Sequence, residues 1–200
     1  VKLILVRHGE TPSNRENRVQ GITDIALSEH GHLQVRRLAD SLRSEKIDAI
    51  YSSPLKRAYQ TAAAIARFHG VTIETDRNLQ EMNHGDFENV TIQELKEKHM
   101  PFLMQWIHDP SSVVMPNGES LLELQNRAWR TIQRIFDTQL DTLVVSHSMT
   151  IMTILCKIVN QDLSRARELR VDVASKTIVE YRDGKGTIRL CNDTSHLKDI

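Results

Sequence analysis

Two hundred residues are enough for one well-buried α/β domain and few for two. At 40% hydrophobic and 26% charged the composition is that of an ordinary soluble globular chain. Lysine plus arginine and aspartate plus glutamate both number 26, so no global basic field exists to hold nucleic acid or anionic lipid. Any selectivity for an anion must come from a local cluster.

Leu3-Ile4-Leu5-Val6 reads as a short strand buried on both faces, too short for a signal peptide or a membrane span. A polar loop follows from His8 to about Leu27. Ser28 is placed to cap a helix whose Val35, Leu38, Ala39 and Leu42 keep helical spacing. Asp48-Ala49-Ile50-Tyr51 reads as a second strand, and Pro54 suits the first turn of a helix presenting Ala58, Ala62 and Ile65. A third strand is expected over Val71 to Thr75, then an irregular stretch from Leu79 to Val90. Helical patterns cover residues 91–108 and 119–138, the latter with Arg127, Arg130 and Arg134 as ordinary solvated charges. Thr142 to Val145 is another buried strand, followed by a helix through Val159. A strand pair turning at Asp183-Gly184 ends the pattern.

No repeat or linker interrupts the chain, so a single domain over residues 1–200 is expected. The alternation predicts a three-layer α/β/α sandwich with a mostly parallel sheet and a helical insertion, residues 82–118, capping the active site. Cys156 and Cys191 lack metal-binding or redox spacing and suit a reducing cytoplasm.

Three strand ends carry the chemistry. The first strand runs into Arg7-His8-Gly9-Glu10-Thr11, the second into Ser52-Ser53-Pro54-Leu55-Lys56-Arg57, and the later one into Ser146-His147-Ser148. Parallel sheets bind ligands at the carboxyl ends of their strands, so two histidines and two arginines are expected to converge. Such a cluster calls for an anionic partner, and phosphate fits the forked donors of Arg7 and Arg57. Backbone N–H groups around Gly9, Ser148 and the helix near Pro54 are expected to add donors. With this much positive charge no metal or cofactor is required. A neutral His8 attacks phosphorus while its other ring nitrogen donates to a carbonyl, and His147 with the arginines steadies the transferred group. Glu81 is the best-placed carboxylate to protonate the leaving oxygen, with Asp86 and Glu88 as rivals.

These residues, in this order, resemble the histidine phosphatase superfamily, also called phosphoglycerate-mutase-like. The matching segments are Arg7-His8-Gly9-Glu10-Thr11 with Asn14, Gln20-Gly21, Leu27-Ser28-Glu29-His30-Gly31, Ser52 to Ala62, Leu79-Gln80-Glu81, Gly118-Glu119-Ser120 and Val145-Ser146-His147. The resemblance implies a phosphorylated His8, Glu81 as proton donor, His147 as second histidine, Arg7, Asn14 and Arg57 as phosphate ligands, and Gln20 and Gly21 near the substrate. It departs where Ser148 and Asn89 replace glycines and Ser13 an aromatic; Asn89 tolerates the positive φ of such a turn.

The expected activity is hydrolysis of a small phosphorylated metabolite through a phosphohistidine. One alternative is a cofactor-dependent phosphoglycerate mutase, whose family members carry a longer segment than the 36 residues between Glu81 and Gly118. Another is an inactive phosphate- or protein-binding module. No nucleic-acid or membrane partner is expected, and a homodimer suits the class. His30-Gly31-His32 reads as a solvated helix start rather than a metal site.

Overall fold

The computed structural model describes residues 1–198 and 200. Strand β1 (Lys2–Arg7) is followed by a one-turn helix α1 (Pro12–Arg15), where Thr11 and Asn14 cap each other reciprocally. Helix α2 (Glu29–Leu42) begins where expected, the Ser28 hydroxyl accepting from the Gly31 N–H. Strand β2 (Ala49–Ser52), helix α3 (Lys56–Ala66) and strand β3 (Ile73–Thr75) come next. Helix α3 starts two residues beyond Pro54. Its first amide, that of Lys56, is capped at 2.7 Å by Asp24 Oδ1 from the loop after α1.

The helical pattern over 91–108 divides into α4 (Ile92–Lys98) and α5 (Met100–His108). Pro101 has no N–H for the Glu97 carbonyl and its ring crowds that carbonyl, so the chain breaks at His99 and Pro101 opens a new helix. Helix α6 (Leu121–Thr138) carries a Ser120/Glu123 capping box and ends in a left-handed Gln139. Strand β4 (Thr142–Ser146), helix α7 (Ser148–Val159) and the antiparallel pair β5 (Lys176–Arg182) and β6 (Lys185–Asp193) complete the order.

The six strands form one sheet in the order β3-β2-β4-β1-β5-β6. β3, β2, β4 and β1 run parallel, whereas β5 pairs antiparallel with β1 and β6 antiparallel with β5. Side chains alternate across the sheet, and both faces are covered. Leu3, Leu5 and Val144 pack with Ile132, Ile135, Ile151 and Ile154 of α6 and α7. Ile4, Val6, Leu143 and Val145 pack with Leu38, Leu42, Ala58, Ala62 and Ile65 of α2 and α3.

A smaller cluster lies under residues 82–118, where Met82, Phe87, Leu95 and Met115 meet Leu121, Leu124 and Cys156, with Trp106 half-buried against them. Met100 and Met104 face outward, 43% and 54% exposed. The stretch after Met82 runs beside the loop after α1: the amides of Val19 and Asn89 donate to the carbonyls of Val90 and Val19. Asn89 has the positive φ, 64°, that its replacement of glycine demands. Among the described residues both cysteines are free, and no helix is long and apolar enough to cross a membrane.

Candidate active site

Sheet register brings the three expected strand ends together. Arg7 pairs with Ser146, and Ser52 with Val145, across the adjacent strands β1, β4 and β2. The next residue on each strand is therefore His8, His147 or Ser53. The His8 amide donates to the Ser146 carbonyl, and the two imidazole centroids lie 5.1 Å apart, tilted by 58°. Arg57, in the first turn of α3, is wholly buried beside them.

Hydrogen bonds fix both ring tautomers. His8 Nδ1 lies 2.7 Å from the Gly9 carbonyl, which can only accept, so Nδ1 carries the proton and Nε2 keeps its lone pair. For His147, Arg57 Nε donates to Nδ1 at 3.2 Å, so the ring proton sits on Nε2 and is donated to Ser53 Oγ at 2.8 Å. Burial first, then the charges of Arg57 and Arg7, hold the His8 pKa well below its ordinary value against the opposing bond to Gly9. His147 is lowered in the same way by burial and Arg57, with smaller pushes from His8, Arg7 and Arg127. Both rings are thus neutral at physiological pH.

The arginines are held by the protein and keep donors in reserve. Arg57 Nη1 and Nη2 donate to the carbonyls of Thr23 (2.8 Å) and Gly21 (2.6 Å). With Nε on His147, three of its five N–H groups are engaged and two remain. Burial pulls its pKa down to about 10, against the attraction of Glu81, Glu88 and Asp24, which leaves it charged at neutral pH. Arg7 Nη1 donates to the Val171 carbonyl at 2.7 Å, while its buried Nε has no partner, the state of a donor built for an anion. Asn14 Oδ1 accepts from the Thr11 amide, leaving its NH2 group to donate, and the Thr11 hydroxyl ties Asn14 to Gln20.

Several backbone donors near the expected positions are engaged elsewhere. The Gly9 amide donates to Thr61 Oγ1, the Lys56 amide to Asp24, and at the start of α7 the amides of Met149 and Thr150 donate to Glu81. Ser148 itself is half-buried in that turn. Acidic and hydroxyl groups thus satisfy the amides of Gly9, Lys56, Met149 and Thr150, which are not free to meet an anion.

Glu81 is 4% exposed and sits on the positive end of α7. Its Oε1 accepts from the Met82 amide, the Thr150 amide and the Thr150 hydroxyl, whereas Oε2 accepts from the Met149 amide alone. Its rivals have other work. Asp86 pairs with the Asn117 side chain in an exposed position. Glu88 gathers the amides of Gly21, Ile22, Thr23 and His84 and the Thr23 hydroxyl. Burial is the largest single influence on Glu88 and opposes its ionisation, but these donors together hold its pKa below the ordinary value. Gly21 is required for close approach: a Cβ there would lie 2.1 Å from Glu88 Oε1 and 2.2 Å from the Met82 carbonyl oxygen.

Two further features frame the site. Residues 171–175 lie against it, with the Ala174 amide donating to the His8 carbonyl and the Arg7 amide to Ser175. That loop is held from behind by Asn192, which bonds both the amide and the carboxylate of Asp172, and by His196 on the Ala174 carbonyl. The sequence suggested an ordinary solvated charge at Arg127; it is instead a partly buried group bonded to Glu119 and to backbone carbonyls around Glu81. Among the described residues no group of three or more His, Cys, Asp or Glu side chains could hold a metal ion.

Comparison with known proteins agrees with this geometry. The family model described as histidine phosphatase superfamily (branch 1) matches residues 3–194. Phosphoserine phosphatase 1 of Hydrogenobacter thermophilus is 34% identical over 202 residues, covering all of this chain and 96% of that protein. The probable phosphoglycerate mutase GpmB of Yersinia pestis is 32% identical over 204 residues, covering 98% and 95%. The solved structure of Bacillus stearothermophilus YhfR superposes with a TM-score of 0.92 at 29% identity, covering 98% of each chain. The chain belongs to branch 1 of the histidine phosphatase superfamily and is a phosphoric monoester hydrolase.

Proposed function

We propose that this enzyme hydrolyses small phosphomonoesters, phosphoserine being the first substrate to test, through a phosphohistidine formed on His8. The observation that carries the reading is the His8 tautomer: a lone pair on Nε2, fixed by the Gly9 carbonyl, beside two arginines and a neutral His147. His8 Nε2 forms the P–N bond as the bond from phosphorus to the ester oxygen breaks. Arg7, Arg57 and Asn14 donate to the non-bridging oxygens throughout, with His147 beside them. Glu81 passes a proton to the leaving alkoxide, Oε2 being its less encumbered oxygen. Water then attacks phosphorus, Glu81 takes back a proton, and the P–N bond breaks to release phosphate. Gln20, Gly21 and half-buried His84 stand beside this centre, where the leaving group would lie.

The identity to a probable phosphoglycerate mutase keeps that alternative in view. That protein is matched over 95% of its length, so it carries no large extra segment, and segment length does not separate the two activities here. The deciding experiment is phosphate release from a panel of phosphomonoesters in EDTA, comparing wild type with His8→Ala. Turnover undiminished by EDTA, lost in His8→Ala, and an acid-labile phosphate on quenched wild type are expected. Wild-type turnover in His8→Ala would refute the nucleophile, and loss of activity on chelation would refute the metal-free chemistry. Isomerisation of 3-phosphoglycerate faster than its hydrolysis, with bisphosphoglycerate present, would make the enzyme a mutase.

A further inference from the structure

All four carbonyls on the approach to Glu81 are tied down, three of them by one side chain. Arg127 Nη1 donates to the carbonyls of Asn78 (2.7 Å) and Gln80 (2.8 Å), and Nη2 to that of Glu81 (2.8 Å). The Leu79 carbonyl between them accepts from Ser146 Oγ at 2.7 Å, and that of Gln80 also from Thr150 Oγ1. The other edge of the same guanidinium forms a two-pronged pair with Glu119, Nε to Oε1 at 2.6 Å and Nη2 to Oε2 at 3.0 Å. Glu119 Oε2 in turn accepts from the Asn83 amide, two residues beyond Glu81. Both members are shielded, with side chains 17% and 15% exposed. One helical turn further along α6, Thr131 and Arg134 bond the carboxylate of Asp76, at the start of the same approach.

A charge pair placed only for helix stability would have no reason to reach four backbone groups flanking one carboxylate. We infer that Arg127, locked by Glu119, is a positioning residue that sets the reach of Glu81 to the leaving oxygen without touching substrate; this rests on the reading of Glu81 as the proton donor. Releasing the clamp frees the peptide groups on either side of Glu81 while its carboxylate stays tethered to α7, so the loss should fall on proton delivery rather than on attack by His8.

The test compares p-nitrophenyl phosphate, whose phenolate leaves without a proton, with phosphoserine, whose alkoxide needs one, in wild type, Glu81→Gln, Arg127→Met, Arg127→Lys, Glu119→Gln and the Glu81→Gln/Arg127→Met double variant. Each is first checked for a cooperative melting transition. Glu81→Gln should lose about a hundredfold on phosphoserine and much less on the aryl ester. Arg127→Met should lose about tenfold or more on phosphoserine and less than about threefold on the aryl ester, since a displacement near 1 Å is enough to slow a positioned step strongly. Glu119→Gln and Arg127→Lys should fall between, and the double variant should be no slower than Glu81→Gln alone, because both changes act on one step. Equal losses on both esters in Arg127→Met, or additive losses in the double variant, would overturn the inference while leaving Glu81 its role. If Glu81→Gln itself fails to discriminate between the esters, the proton-donor reading falls and the clamp with it. Should Arg127→Met fail to fold, Glu119→Gln decides by the same ratio of ester rates.

Discussion

Replacing Arg57 with methionine should destroy activity while leaving stability nearly unchanged. Arg57 has no exposed surface, and burial lowers its pKa from the ordinary guanidinium value to about 10. At 1.36 kcal/mol per pH unit, keeping the guanidinium charged in the fold costs roughly 3 kcal/mol. The sign follows from a base whose folded pKa is depressed: the cost is complete below about pH 10 and fades as pH rises toward the higher unfolded value. Methionine removes that cost but strands the carbonyls of Gly21 and Thr23 and the Nδ1 of His147. Each stranded acceptor costs on the order of 1 kcal/mol where water can reach it and more where it cannot. The two contributions nearly cancel, as they do when other buried charges are exchanged for apolar groups of similar size. For a chain of this length the melting temperature should move by less than about 6 °C. Hydrolysis of p-nitrophenyl phosphate should fall by about 10³ or more, because a preorganised cation is lost from the transferred phosphoryl group. Thermal melts followed by circular dichroism at pH 7, with steady-state rates on the same preparation, make the measurement. A fall in melting temperature beyond about 15 °C would show that Arg57 chiefly holds the fold, and retained turnover would remove it from the chemistry.

Three other substitutions probe the frame around the site. Gly21→Ala drives a Cβ against a backbone carbonyl that cannot yield, so it should destabilise by about 1–3 kcal/mol and impair turnover together; unchanged thermal melts would contradict the close packing. Asp24→Ala removes the acceptor on the first amide of α3 and should cost about 1 kcal/mol, read from denaturant midpoints, with no loss expected only if water caps that amide equally well. Glu88→Gln should lose stability most clearly at neutral pH. The Glu88 pKa is depressed in the fold, so its contribution is complete above the ordinary value of 4.5 and disappears as pH falls through the lower folded value. Wild type and variant should therefore converge in urea midpoints measured toward pH 3, and a constant gap across pH would refute the linkage.

The sheet and its chemistry were readable because a strand buried on both faces has a plain signature. Leu3 to Val6 and Thr142 to Val145 are apolar runs ending in Arg7-His8 and Ser146-His147, and parallel register then does the rest. Charged helix residues were less legible. Arg127 and Thr131 lie on one α6 stripe that continues from buried Leu124, a spacing that could have marked them as inward-facing, whereas Arg134 stays exposed as expected. Backbone donors were expected around Gly9, Ser148 and the helix near Pro54, and nothing local reveals that Thr61, Asp24 and Glu81 take the amides of Gly9, Lys56 and Met149, since each partner lies 32 or more residues away. Glu81 was ranked first with Glu88 as a rival in a loop whose path was unknown; the donors of Gly21, Ile22 and Thr23 that occupy Glu88 come together with it only in three dimensions.

The bonds from Asn192 and His196 to residues 172–174, which in turn touch Arg7 and His8, carry a consequence for biosynthesis. During translation the imidazole of His8 leaves the ribosome about 180 residues before the side chains of Asn192 and His196, a delay on the order of ten seconds or more at ordinary elongation rates. A nascent chain therefore lacks these braces on the 171–175 loop until synthesis has passed β6.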